Sequence, residues 1–379
     1  MQMGVAKGFP SWNKGVTDYE NEVKTSYFPK IRLFSVPPLP SEVPLEDCEG
    51  QWKLCQPESA QEFSAIGYFF GRELYKARQV PIGLIHCSRG GTAAEAWMRK
   101  SLLESNLEWK KWLIDYEWPE RRKPRRLIKG PYAFYNGMLN PVIPYGIKGV
   151  IWYQGEANRT RAYQYRELFP GTISNWRQDW GQGAFPFLFV QLANCGPFKE
   201  EPSESVWAEL REAQLISMKV PNTGMVVTID VGDGNDVHFP NKKPVGERLA
   251  KLARGTVYGE DIIYSGPIYE SMRIEGSAIR LFFKHVGSGL VAKGGEPLRH
   301  FAIADVNKKF IWANAKIDGN TVIVRSKSVK SPVAVRYAWA DNPLGANLYN
   351  TDGLPASPFR TDSWEGITAN KHVMWPELP

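Results

Sequence analysis

Between about Ile31 and Gly259 the chain alternates short apolar runs with longer segments of helical period. The runs "PIGLIH" from Pro81, "GVIWYQ" from Gly149, "FLFVQLA" from Phe187 and "GMVVTIDV" from Gly224 have few polar positions. Such runs read as strands buried on both faces of a sheet. Among the intervening segments, 60–78 places Phe63, Ile66, Phe70 and Leu74 on one stripe, and 205–220 and 243–259 also have helical period. Strand and helix patterns in alternation predict a parallel sheet flanked by helices. After Gly266-Pro267 the period changes to two, in "AIRLFF", "FIWANAKI", "TVIVRS" and "AVRYAWA", with Asp318-Gly319-Asn320 as a hairpin turn. The pattern therefore predicts an α/β domain over 1–262 and a β-rich C-terminal module with a tail over 263–379. There is no internal repeat and no low-complexity tract.

Composition narrows the class. With 379 residues, 43% hydrophobic and 13% aromatic, the chain can bury a large core. No run reaches the roughly 18 apolar residues of a membrane span, and the start lacks a basic segment followed by an apolar one, so a soluble chain without an export signal is expected. The net charge of +7 is scattered, apart from "RRKPRR" at Arg121 to Arg126. A solvated face is the expectation there, and no nucleic-acid partner. Cys48, Cys55, Cys87 and Cys195 show no paired spacing for zinc, so no metal and no cofactor is expected. Cys48 and Cys55 remain open as either a bridge or free thiols.

Three strand ends carry polar groups suited to chemistry. Ligands in open parallel sheets sit beyond the carboxyl ends of the strands. The first strand end is "IHCSRGGT", where Ser88 invites a reading as nucleophile, although a Gly-x-Ser-x-Gly elbow would need glycine at His86. Gly90 and Gly91 suit a backbone that approaches a ligand and presents N–H groups to it. The second is "WYQGEAN", where Gln154, Glu156 and Asn158 can reach a site and the amides can donate to an oxyanion. The third is "DVGDGNDVHFPNKKPVG", which clusters Asp230, Asp233 and Asp236 ahead of His238. His238 is the best general base among the five histidines, with a carboxylate to fix its tautomer. His86, His285, His300 and His372 have no comparable carboxylate company. Glu95 and Glu156 also raise the possibility of a paired-carboxylate glycosidase.

The stretches "PIGLIHCSRGGTAAEAW", "YNGMLNPVIPYGIKGVIWYQGEAN" and "GDGNDVHFPNKKPVGERLA", with the tail "VRYAWADNP…NLYNTDGLPASPFRTD", resemble the sialate O-acetylesterase family of carbohydrate esterases, within the SGNH hydrolase superfamily. The resemblance implies a flavodoxin-like α/β/α domain with β-rich accessory parts. It also implies metal-independent removal of acetyl groups from sugar hydroxyls, with acetylated carbohydrate as the partner and neither nucleic acid nor membrane. Carried over by position, His238 matches the base, with Asp236 or Asp233 as its orienting acid. Many members space acid and base as Asp-x-x-His, and here that slot holds Asn235. Gly90 or Gly91 matches the oxyanion glycine, and Gln154 with Asn158 falls in the next conserved block. Arg89, Glu95 and Glu156 are the substrate-facing candidates; Arg89 stands where relatives often carry Trp and could meet a substrate carboxylate.

The family nucleophile belongs to a Gly-Gln-Ser-Asn-Met motif ending the first strand of the sheet. Met1 aligns with its last residue, so the resemblance puts the serine two positions ahead of Met1. The same resemblance implies a sheet without its first strand in this chain, a groove of unpaired backbone in its place, and a secreted or periplasmic full-length product. The alternatives are an α/β-hydrolase-type esterase using Ser88, or an inactive carbohydrate-binding remnant.

Overall fold

The structure, a computed structural model, describes residues 1–6, 15–114, 130–295 and 297–371. The "RRKPRR" run and His372 lie outside the described residues. The α/β part runs α1 (Tyr19–Lys24), β1 (Phe28–Ser35), β2 (Lys53–Cys55), α2 (Pro57–Ala60), α3 (Ala65–Arg78), β3 (Ile82–His86), α4 (Lys100–Ser105) and α5 (Leu107–Ile114). It continues with β4 (Val150–Trp152), α6 (Ala162–Trp180), β5 (Phe187–Val190), α7 (Val206–Ile216), β6 (Thr223–Val226) and α8 (Lys243–Thr256).

Local chemistry sets several of these boundaries. The predicted helix from residue 60 begins at Ala65 because the Ser64 side chain caps it, accepting from Gly67 N at 3.2 Å. Ser205 caps α7 in the same way, accepting from Ala208 N at 2.9 Å. Helix α6 runs 19 residues through Pro170. Its stripe of Tyr165, Leu168, Phe169, Ile173 and Trp176 is buried against the sheet, where the Phe169 ring stacks 6.0 Å from that of Trp152. That packing outweighs the lost backbone bond at the proline.

The strands form two separate three-stranded sheets, ordered β2-β1-β3 and β4-β5-β6. All neighbours are parallel except the β1/β2 pair. The facing edges, β3 and β4, line one cavity of about 490 Å³, from Pro81 to Ser88 on one side and from Gly149 to Gln154 on the other. The parallel layer is thus interrupted in its middle.

The β-rich part contains two four-stranded antiparallel sheets. In one, β7 (Ile268–Glu275), β8 (Ala278–Lys284), β12 (Asn314–Asp318) and β13 (Thr321–Arg325) lie in the order β12-β13-β8-β7. In the other, β10 (Phe301–Ala304), β11 (Ile311–Trp312), β14 (Ala334–Tyr337) and β16 (Phe359–Arg360) lie in the order β11-β10-β14-β16. β9 (Leu290–Ala292) pairs with β15 (Leu348–Asn350). Asp318 opposes Thr321, so Gly319 and Asn320 form the two-residue hairpin turn the sequence predicts. One apolar cluster runs from Trp152, Phe169 and Phe187 through Ile279, Phe301 and Phe359, so the two parts share a core. Arg211 on α7 fastens them, donating to the carbonyls of Leu192, Ala193, Ala340 and Asp341.

Candidate active site

His238 sits on the loop between β6 and α8, and that loop is held at several points. Asp230 receives a bidentate pair from Arg248, at 2.6 and 2.7 Å, and a bond from Tyr349 OH. Gly232 N donates to Asn194 Oδ1, and Gly196 N to Gly234 O, both at 2.9 Å. Asn194 is bonded in turn to Asn342 of the β-rich part. The β-rich part therefore helps to fix the loop. Asp236 Oδ1 accepts from the His238 backbone N–H at 2.7 Å and lies 3.8 Å from ring Nδ1. Asp233 is exposed and caps its own turn by accepting from Asn235 N, so Asp236 is the carboxylate nearer the His238 ring. Burial holds the His238 pKa below the ordinary value, Asp236 opposes this, and Lys242 adds to the drop.

Gly90 and Gly91 turn the chain after β3. Gly90 N donates to Gln2 Oε1 at 2.5 Å, and exposed Gly91 has φ +73°, a conformation glycine adopts without strain. Beneath the turn runs a closed polar network. Gln154 Nε2 donates to Thr92 O and Asn158 Oδ1, while Gln154 Oε1 accepts from Tyr165 OH. Asn158 Oδ1 also accepts from Ala94 N, and Asn158 Nδ2 donates to Glu95. Glu95 is fully buried and paired with Arg161 at 2.5 Å.

Other groups join the site. His86 Nε2 and Ser88 Oγ lie 2.5 Å apart, and the His86 ring meets the edge of Phe63. Burial pulls the His86 pKa down to about 4. The Met1 amine is buried beside Lys242 and Glu156, its pKa pulled down to about 5 mainly by burial. Arg89 lines the cavity, and its guanidinium bonds to no group among the described residues. No group of three or more His, Cys, Asp or Glu suited to a metal occurs among the described residues. There too, no helix is long and apolar enough to cross a membrane.

A family model described as carbohydrate esterase, sialic acid-specific acetylesterase, matches residues 47–254, more than half of the chain. This chain belongs to that family. The human sialate O-acetylesterase is 29% identical over 389 aligned positions, covering 91% of this chain and 72% of the human protein. The mouse sialate O-acetylesterase is also 29% identical, covering 95% and 75%. A carbohydrate acetylesterase from Xanthomonas citri has a crystal structure that superposes with a TM-score of 0.85 at 40% identity, covering 96% of this chain and 78% of that one.

Within this esterase framework several sequence-based expectations change. Gln154 does not offer a free N–H group to an oxyanion, because both its N–H groups are used inside the network, and one N–H of Asn158 is held by Glu95. They support the glycine turn from below. Glu95 is not a substrate contact, since its carboxylate is closed off by Arg161 and Asn158. The same ion pair removes the glycosidase reading, which needs two carboxylates facing the substrate. Glu156 lies within electrostatic reach of His238 and Lys242. Ser88 is bonded to His86 instead of completing a triad with Asp236 and His238. All four cysteines are free.

Two site residues were passed over in the sequence. His86 looked ordinary because its partner, Ser88, is two positions away and is not a carboxylate. Lys242 stood in plain view in "NKKPVG", yet only tertiary packing reveals that its side chain is buried.

Proposed function

We propose that this site removes acetyl groups from sugar hydroxyls by an acyl-enzyme route, with His238 as general base. The observation that carries the reading is the His238 loop, which holds Asp236 Oδ1 3.8 Å from the ring Nδ1. A serine hydroxyl attacks the acetyl carbonyl while His238 accepts its proton. The tetrahedral oxyanion is assigned to the Gly91 N–H, since the Gly90 N–H donates to Gln2 Oε1, and the collapse expels the sugar oxygen with the proton from His238. Water, deprotonated by the same imidazole, then releases acetate from the serine ester. Asp236 is assigned the steadying of the imidazolium and Arg89 a contact to substrate.

The nucleophile is proposed to lie on a strand preceding Met1 that fills the interval between β3 and β4. The cavity bordered by both strand edges and the burial of Met1 at its rim support that placement. The test compares p-nitrophenyl acetate hydrolysis by residues 1–379 with hydrolysis by a form extended through its own upstream coding sequence. The expected result is negligible turnover by 1–379, activity in the extended form, and a loss of roughly a hundredfold or more on His238→Ala. Turnover by 1–379 that disappears on Ser88→Ala would overturn the placement of the nucleophile.

A further inference from the structure

The Gly90-Gly91 turn carries the proposed oxyanion donor, yet little in the turn itself fixes it. Gly91 is exposed with φ +73°, and a Cβ built on it would meet nothing within 4 Å. Packing therefore does not hold this residue, and glycine has a wide choice of backbone conformations. The flanks of the turn are better secured. On one side Ser88 Oγ lies 2.5 Å from His86 Nε2. On the other, Thr92 Oγ1 donates to Arg89 O at 2.8 Å and accepts from Trp97 Nε1 at 2.9 Å. Among the described residues a single hydrogen bond reaches the two glycines themselves, from Gly90 N to Gln2 Oε1 at 2.5 Å.

Gln2 can hold another segment because its own backbone is anchored. Met3 beside it is buried, and Met3 O accepts from Ala65 N, the first residue of α3, at 2.8 Å. Gly4 pairs with Ser64 in an antiparallel bridge, and Ala6 N donates to Gln61 O at 2.9 Å. On its other side Met1 lines the cavity between β3 and β4 together with Ser88 and Arg89. The Gln2 amide oxygen therefore links a segment fixed on α3 to a turn that follows β3. An oxyanion is stabilised by a donor oriented before the reaction, and a flexible glycine turn needs such a link to supply one.

We propose that Gln2 is a positioning residue of this site: its amide oxygen takes the Gly90 N–H and thereby fixes the turn with the Gly91 N–H directed at the oxyanion. The assignment rests on the acyl-enzyme reading of the site. In that reading the serine precedes Gln2 on the same segment, so the bond also sets the spacing between nucleophile and oxyanion donor.

The first arm of the test follows amide hydrogen exchange by NMR in glycine-labelled residues 1–379. The expected result is a protected Gly90 N–H that exchanges roughly tenfold or more faster in Gln2→Met, which keeps the side-chain length and removes the acceptor. Gln2→Glu keeps the acceptor and the protection. Gly71, buried inside α3, stays protected in both variants and reports that they are folded. The second arm measures p-nitrophenyl acetate hydrolysis by the extended form. There Gln2→Met lowers kcat by roughly tenfold to a hundredfold at unchanged KM, because the oxyanion forms only on the way to the transition state. Equal exchange of Gly90 in the unmodified protein and Gln2→Met, loss of its protection in Gln2→Glu, or an unchanged kcat in Gln2→Met overturns the assignment alone. No turnover by the extended form overturns the acyl-enzyme reading and the assignment with it.

Discussion

His86 shows how one buried side chain ties stability to pH. Its folded pKa is about 4, below the ordinary 6.5. Above pH 6.5 both folded and unfolded forms are neutral, and the group contributes no pH dependence. Below it the unfolded chain takes up the proton and the folded chain does not, so stability falls as pH drops from about 6.5 to 4. At pH 5 the loss amounts to about 2 kcal/mol by linkage, an upper value for a partly buried ring. Urea unfolding at pH 7 and pH 5 should therefore show a smaller acid loss in His86→Gln than in the unmodified protein. Equal losses would mean that the ring is solvated. Glu95 belongs to the same scale: removal of either partner from its pair with Arg161 would strand a buried charge under the glycine turn, at a cost of about 3–5 kcal/mol.

At the scale of elements, the register between α3 and α8 decides where the His238 loop stands. Gly246 lies one turn into α8, and a Cβ there would meet Phe69 Cβ at 2.4 Å, Phe70 N at 2.9 Å and Ile66 O at 3.0 Å. Two of these are backbone atoms of α3, so neither helix can yield by a side-chain rotation. Gly246→Ala should cost about 1–3 kcal/mol in urea unfolding by forcing the helices apart. A change under about 0.5 kcal/mol, the range of neutral surface substitutions, would show that the crossing is loose. The start of α8 would shift with the helix, and with it Lys242.

For the whole molecule, the interruption between β3 and β4 is the dominant feature. β5 is paired on both sides, whereas β3 and β4 are each paired on one. Hydrogen exchange followed by mass spectrometry should show faster exchange in residues 82–86 and 150–152 than in 187–190. Protection of all three segments to the same degree would argue that the interval is closed in solution. The β-rich part bears on the same region from outside, because Tyr349 and Asn342 reach the His238 loop through Asp230 and Asn194.

The sequence by itself determined which segments would be strands and which helices. Apolar runs, helical stripes and the Asp318-Gly319-Asn320 turn are local patterns, and most matching elements formed where the pattern placed them, although "FIWANAKI" divides between β11 and β12 in two different sheets and the strand in "GMVVTIDV" ends at Val226. It also placed Gly90, Glu156 and His238 in the connections after β3, β4 and β6, since each lies between an apolar run and the next helical segment. Only the tertiary structure decided what those groups are free to do. Glu95, Gln154 and Asn158 have the residue types of a reactive site, but partners far along the chain occupy them. His86 and Lys242 carry no local mark of function, because burial and the absence or presence of a partner arise from contacts between distant segments. Spacing selects the face on which a side chain lies, and long-range packing sets its solvation and charge.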